Sequence, residues 1–93
     1  MSSTKGALGH MLGAAGSIEA LIACLTLQHQ TTPPNLNLES IEPDMAGLNY
    51  VRLQSASGDA AAAAYERPLR AVMSNSFGFG GTNASLIFAQ FEP

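Results

Sequence analysis

His10 sits inside Lys5-Gly6-Ala7-Leu8-Gly9-His10-Met11-Leu12-Gly13, an imidazole in a run of glycines. Glycine permits tight backbone turns and close approach of a ligand or another chain segment. The ring is therefore placed to act as a hydrogen-bond donor or a general acid, against the competing role of a single structural histidine. Lys5 and Glu19 are the only formally charged residues before Glu39, and they have opposite sign. An unpaired buried charge costs several kcal/mol, on the order of the usual estimates, so a carboxylate in this apolar context calls for a partner, and Lys5 is the nearby candidate. The other arrangement stays open: Glu19 lies in an exposed first turn, favourable to the helix dipole, and Lys5 is a solvated loop residue. A second chemical feature is Phe79, a large aromatic between Gly78 and Gly80. It is either a movable ring beside a pocket or a core plug whose glycines only form a turn.

Several chemistries are excluded by spacing. His10 and His29 are far from the helical spacing of zinc motifs, and Cys24 is the single cysteine, so no metal site and no disulfide is expected. Gly78-Phe79-Gly80-Gly81 lacks the spacing of a dinucleotide fingerprint and the Lys-Ser/Thr of a P-loop. No cofactor is implied.

The elements that position these residues follow from pattern. Gly13 to His29 is rich in Ala and Leu and predicts a helix, stopped by Thr31, Thr32, Pro33 and Pro34. At a helical period Gly9, Gly13, Gly16, Ala20 and Ala23 or Cys24 share a flat face, while Leu12, Leu21, Ile22 and Leu25 lie elsewhere around the cylinder. A helix apolar all round belongs in the interior of a large protein or in a membrane. Glu19 interrupts the run, the run is short of ~20 clean apolar residues, and no basic flank follows, so the membrane reading fails. Cys24 is expected to be a buried small hydrophobe, and His29 to favour the exposed carbonyls at the helix end.

Asn35-Leu36-Asn37-Leu38 predicts an extended connector, residues 48–53 a short strand, and residues 54–66 a low-complexity surface loop. Residues 70–77 and 82–91 predict two strands joined through the glycine-rich link. With 93 residues, 46% hydrophobic and 12% charged, the chain is too apolar for disorder. Lys5, Arg52, Arg67 and Arg70 are its whole basic complement against a net charge of -3, which argues against nucleic acid. The first residues carry neither the basic nor the apolar region of a secretory leader.

Two motifs in order, Ser3-Thr4-Lys5-Gly6 through Gly9-His10 to Gly13-Ala14-Ala15-Gly16 and then Asn75-Ser76-Phe77-Gly78-Phe79-Gly80-Gly81-Thr82-Asn83-Ala84, closely resemble the C-terminal part of the β-ketoacyl-acyl-carrier-protein synthases. Pro33-Pro34-Asn35-Leu36-Asn37-Leu38 and Leu48-Asn49-Tyr50-Val51 also resemble that family. The resemblance implies an α/β chain, residues 1–93 forming the C-terminal part of a thiolase-like fold, incomplete, with a buried central helix and strands of one mixed sheet. It implies that the nucleophilic cysteine and a first active-site histidine belong to segments this chain lacks, so that the chain alone is inactive.

By the same resemblance, His10 matches the second catalytic histidine, which donates to the malonyl thioester carbonyl. Lys5 matches the active-site lysine, organising rather than nucleophilic, and Glu19 its acidic partner. Phe79 matches the gatekeeping phenylalanine, whose backbone N–H helps form an oxyanion hole. The implied activity is the decarboxylative Claisen condensation of fatty-acid elongation. The implied partners are acyl- and malonyl-loaded acyl carrier protein, the missing N-terminal half and a second copy of the full-length protein, with neither nucleic acid nor a membrane among them. A cytoplasmic setting in bacteria, or a mitochondrion or plastid in eukaryotes, suits that role. The alternatives are a polyketide ketosynthase fragment, against which Ser85 stands where those sequences usually carry histidine, and a non-catalytic partner or regulator of a synthase.

Overall fold

A computed structural model describes residues 1–52, 63–64 and 68–93. The chain forms two compact units, one of Met1–His10 with Thr31–Ala64, the other of Met11–Gln30 with Tyr65–Pro93.

In the first unit a single helical turn, α1 (Lys5–Leu8), follows Thr4, whose carbonyl accepts from Ala7 and Leu8 N–H at 3.0 and 2.9 Å. Gly9 ends the turn with φ of +75°, a conformation that costs an L side chain roughly 1–2 kcal/mol and glycine little. Strand β1 (Thr31–Thr32) pairs antiparallel with β2 (Ala63–Ala64), Thr31 opposite Ala64 and Thr32 opposite Ala63. Apart from those two residues of β2, the loop read at 54–66 lies outside the described residues.

The strand expected at 48–53 does not form within 48–52, the described part of it. Val51 is buried, donating to the Met1 carbonyl at 3.0 Å and accepting from Asn35 N–H at 2.9 Å. Its neighbours turn instead: Pro43–Met45 is a short 3-10 turn, and the Tyr50 hydroxyl donates back to the Met45 carbonyl at 3.0 Å. Strand propensity describes a side chain suited to a pleated, half-buried surface, and here only Val51 occupies such a place.

In the second unit a 3-10 turn (Leu12–Ala14) leads into α2 (Ala15–His29), so the regular helix begins two residues after Gly13. It stops at Gln30 in the left-handed region, φ of +56°. Strand β3 (Ala71–Phe77) and β4 (Asn83–Ala89) form the expected hairpin, in register from Ala71 opposite Ala89 to Phe77 opposite Asn83. Helix α2 packs on this hairpin.

The contact selects the small-residue stripe of the helix. Ala23, Thr26 and Leu27 are buried, Ala20 is half-buried, and a Cβ built on Gly16 would lie 3.9 Å from the Ser76 hydroxyl. The hairpin answers with Val72, Ser74 and Ser76, alternate residues of β3 that are all half-buried. Serines opposite glycine and alanine let helix and sheet approach closely, and the hydrophobic contribution comes from Leu27, Ala23 and the Val72 and Phe88 cross-strand pair.

Burial of α2 is one-sided. Leu21 is 56% and Leu25 41% exposed, and Cys24 lies exposed between them, on the side of α2 that the hairpin leaves uncovered. The reason is phase: Cys24 lies one residue past the buried Ala23, about 100° around the cylinder, and so turns off the hairpin. The hairpin is also apolar on its outer face, with Met73, Phe77 and Ile87 all more than half exposed. A helix and a sheet with two apolar faces each are inner layers of a larger α/β structure, as an incomplete thiolase-like domain requires.

Candidate active site

His10 and Lys5 are both exposed and both depend on α1 for their placement. Lys5 is the first residue of the turn, with its backbone N–H directed at the Ser3 hydroxyl (3.3 Å) and its carbonyl accepting from Gly9 N–H at 2.8 Å. His10 follows immediately on the left-handed Gly9. Gly6 takes no side chain without a shift of its neighbour, because a Cβ there would meet the Leu36 carbonyl oxygen at 3.1 Å and its Cβ at 3.4 Å. Gly6 is thus a close-approach position, as the glycine run suggests, whereas Gly13 has open space where a Cβ would be. Just beyond His10, Leu12 is held at φ of +51°, an uncommon conformation for a bulky residue.

Glu19 and Phe79 belong to the second unit. Glu19 is half-buried on α2, one turn before the buried Ala23. Phe79 caps the hairpin tip and is wholly exposed, 108% by comparison with the extended residue, so it plugs no core within its own unit. Gly78 N–H donates to the Thr82 carbonyl at 2.7 Å and closes the loop. Within it Gly80 and Gly81 adopt φ of +85° and +82° with no atom within 4 Å of a built Cβ, so backbone conformation rather than space demands glycine there. Gly78 has ordinary φ, and its nearest neighbour would be the Thr82 carbonyl at 3.4 Å. The backbone positions that demand glycine therefore lie on the C-terminal side of Phe79.

Two amides escape sequence reasoning. Asn35 accepts from Ser3 N–H at 2.7 Å and donates to the carbonyls of Met1 and Val51 at 3.1 and 3.0 Å. Gln30 donates to the carbonyls of Leu27 and Leu69 and accepts from Leu69 N–H. Gln30 shows its constraint only in the fold, as a left-handed φ, and the Pro-Pro preceding Asn35 marks a rigid segment without naming its partners. Among the described residues no group of three or more His, Cys, Asp or Glu is arranged to hold a metal, and no helix is long and apolar enough to cross a membrane.

Residues 1–39, the part that contains α1, His10 and α2, match the family model described as Beta-ketoacyl synthase, C-terminal domain. The similarity then continues through the hairpin. The chain is 43% identical to 3-oxoacyl-[acyl-carrier-protein] synthase 2 of Rhizobium meliloti (strain 1021), a match covering 98% of this chain and 19% of that protein. It is 42% identical to synthase 1 of Escherichia coli (strain K12), covering 99% and 20%. Against the mitochondrial synthase of Arabidopsis thaliana it is 44% identical, covering 95% and 17%. The chain spans about a fifth of the length of the curated relatives it matches. The two motifs, the exposed histidine after a glycine turn and identity sustained through both units make this chain a member of the β-ketoacyl synthase family.

Proposed function

We propose that residues 1–93 are the C-terminal part of a 3-oxoacyl-acyl-carrier-protein synthase and supply the malonyl-decarboxylating side of its site. The observation that carries this reading is the similarity to such synthases along nearly the whole chain. In the reaction the carboxylate of a malonyl thioester leaves as carbon dioxide and its electrons pass into an enolate. The enolate carbon attacks an acyl thioester on a cysteine supplied by the rest of the synthase, the new carbon–carbon bond forms, and the cysteine thiolate departs. Acyl carrier protein delivers both substrates, and the complete enzyme works as a homodimer.

His10 donates a hydrogen bond to the thioester oxygen. Negative charge grows there as carbon dioxide leaves, so a fixed donor binds the enolate more strongly than the ground state and lowers the barrier. Lys5, the first residue of α1, orders the site, and Glu19 takes the acidic role that the family resemblance gives that position. Phe79 opens and closes the acyl entrance on the Gly80-Gly81 hinge. The exposure of His10 and Phe79 supports these roles, since each side chain is offered to something outside its own unit's core.

The test uses the full-length protein that carries this segment. His10→Ala slows malonyl decarboxylation by about 10²-fold or more, the usual loss of an oxyanion donor, and leaves acyl transfer to the cysteine intact. Equal loss of both steps shows that His10 is structural and removes it from the mechanism.

A further inference from the structure

We propose that Asn35 is the positioning residue for the turn that carries Lys5 and His10, a role that rests on the reading of that turn as the decarboxylating side of the site. Its side-chain amide does the work of a peptide group from a missing strand. The oxygen accepts from Ser3 N–H at 2.7 Å, and the nitrogen donates to the carbonyls of Met1 at 3.1 Å and Val51 at 3.0 Å. Its own backbone N–H donates to the Val51 carbonyl at 2.9 Å, while Val51 N–H donates to the Met1 carbonyl at 3.0 Å. Three chain segments are thereby fixed by one residue. A neighbouring bond, from the Ser2 hydroxyl to the Pro33 carbonyl, fastens two of these three segments again.

The bond into Ser3 continues into the site. Ser3 Oγ accepts from Lys5 N–H, the Thr4 carbonyl accepts from Ala7 and Leu8, and the Lys5 carbonyl accepts from Gly9, whose positive φ aims the chain at His10. Leu36 holds the other side, with its carbonyl against Gly6. Residues 35 and 36 thus grip α1 at its entry and at its middle. The grip is needed, because one helical turn fixes several residues for few hydrogen bonds and does not persist alone in water. Only an amide of this length fits: a carboxylate keeps the acceptor for Ser3 but sets a second oxygen against the two carbonyls, and alanine removes both functions.

The experiment compares Asn35→Ala and Asn35→Asp with the wild type in the full-length protein, reading amide hydrogen exchange and the two half-reactions separately. Both variants are expected to exchange the Ala7, Leu8 and Gly9 amides about tenfold faster or more, the scale set by losing ordinary hydrogen bonds, with β3 and β4 amides unchanged. Malonyl decarboxylation falls about tenfold while acyl transfer to the cysteine holds. Unchanged exchange at residues 7–9, a uniform rise over the whole chain, or equal losses in both half-reactions overturns the proposal. If Asn35→Ala does not fold, Asn35→Asp decides it by the same measures. A wild type that decarboxylates no malonyl thioester defeats the catalytic reading, and exchange at residues 7–9 then decides whether Asn35 positions the turn.

Discussion

The side-chain amide of Gln30 forms both halves of a peptide-like pair with Leu69, accepting Leu69 N–H at 2.7 Å and donating to the Leu69 carbonyl at 3.1 Å. The same nitrogen donates to the Leu27 carbonyl at 2.7 Å, one of the acceptors left open at a helix C-terminus. One side chain thus caps α2 and fixes the approach to β3. The Leu27 carbonyl has a second donor in Gln90 at 3.2 Å.

Replacing Gln30 separates its two contributions. Gln30→Ala removes the amide but keeps a side chain at φ of +56°, and loses about 1–3 kcal/mol by leaving part-buried Leu69 groups unpaired. Gln30→Gly loses the same bonds and regains about 1 kcal/mol by relieving the left-handed backbone. Urea unfolding therefore ranks wild type above Gln30→Gly above Gln30→Ala. If the alanine variant matches wild type, the amide pair contributes nothing.

This residue also marks the limit of what the chain discloses before folding. The hairpin is legible because residues 70–77 and 82–91 are strand-like runs joined by a glycine-rich link, and α2 because Gly13 to His29 is rich in Ala and Leu and free of proline. Which face of α2 packs on the hairpin is not legible: every face is apolar, so the pattern has no phase, and only the fold shows that the hairpin takes the stripe of Gly16, Ala20, Ala23 and Leu27. Gln30 and Asn35 are silent for a different reason. Their partners, Leu69 for one and Ser3, Met1 and Val51 for the other, lie far away in the chain, and an amide carries no sign of which distant backbone it serves. Of the site, His10, Lys5, Glu19 and Phe79 stand out by type and motif, whereas the clamp of residues 35 and 36 emerges only with the fold.

Gly6→Ala sets two effects against each other. Alanine gains up to ~1 kcal/mol of helix preference over glycine, but its Cβ would press the Leu36 carbonyl at 3.1 Å, a backbone atom that the Asn35 bonds keep from retreating. Overpacking of this kind costs about 1–3 kcal/mol, so the net sign is destabilising. Thermal unfolding shows a lower midpoint, and the amide resonances of Leu36 and residues 5–9 move together. A raised midpoint shows that α1 is free of Leu36.

The glycines of the hairpin tip are not equivalent. Gly80→Ala and Gly81→Ala each force an L residue to φ near +80° and lose about 1–2 kcal/mol for conformational reasons alone. Gly78→Ala meets only an ordinary contact at 3.4 Å with unexceptional φ and stays near wild type. Chemical denaturation of the three variants gives the order directly, and equal losses at all three positions show that crowding rather than φ controls the loop.

Phe79→Ala distinguishes a ring held for access from a ring held for packing. Because Phe79 is wholly exposed beside Gly80 and Gly81, its removal takes nothing from the core of its unit, and a buried phenylalanine by contrast would cost about 3–5 kcal/mol on the same change. The unfolding midpoint of this 93-residue chain is therefore unchanged. In the full-length protein the same variant alters the rate of acyl transfer to the cysteine in a way that depends on chain length, since a gate acts on what passes it. A lowered midpoint in the isolated chain contradicts the exposed placement, and acylation rates that match wild type at every chain length contradict the gate. The two readouts are independent, because the first depends on what the ring touches within its own unit and the second on what it admits.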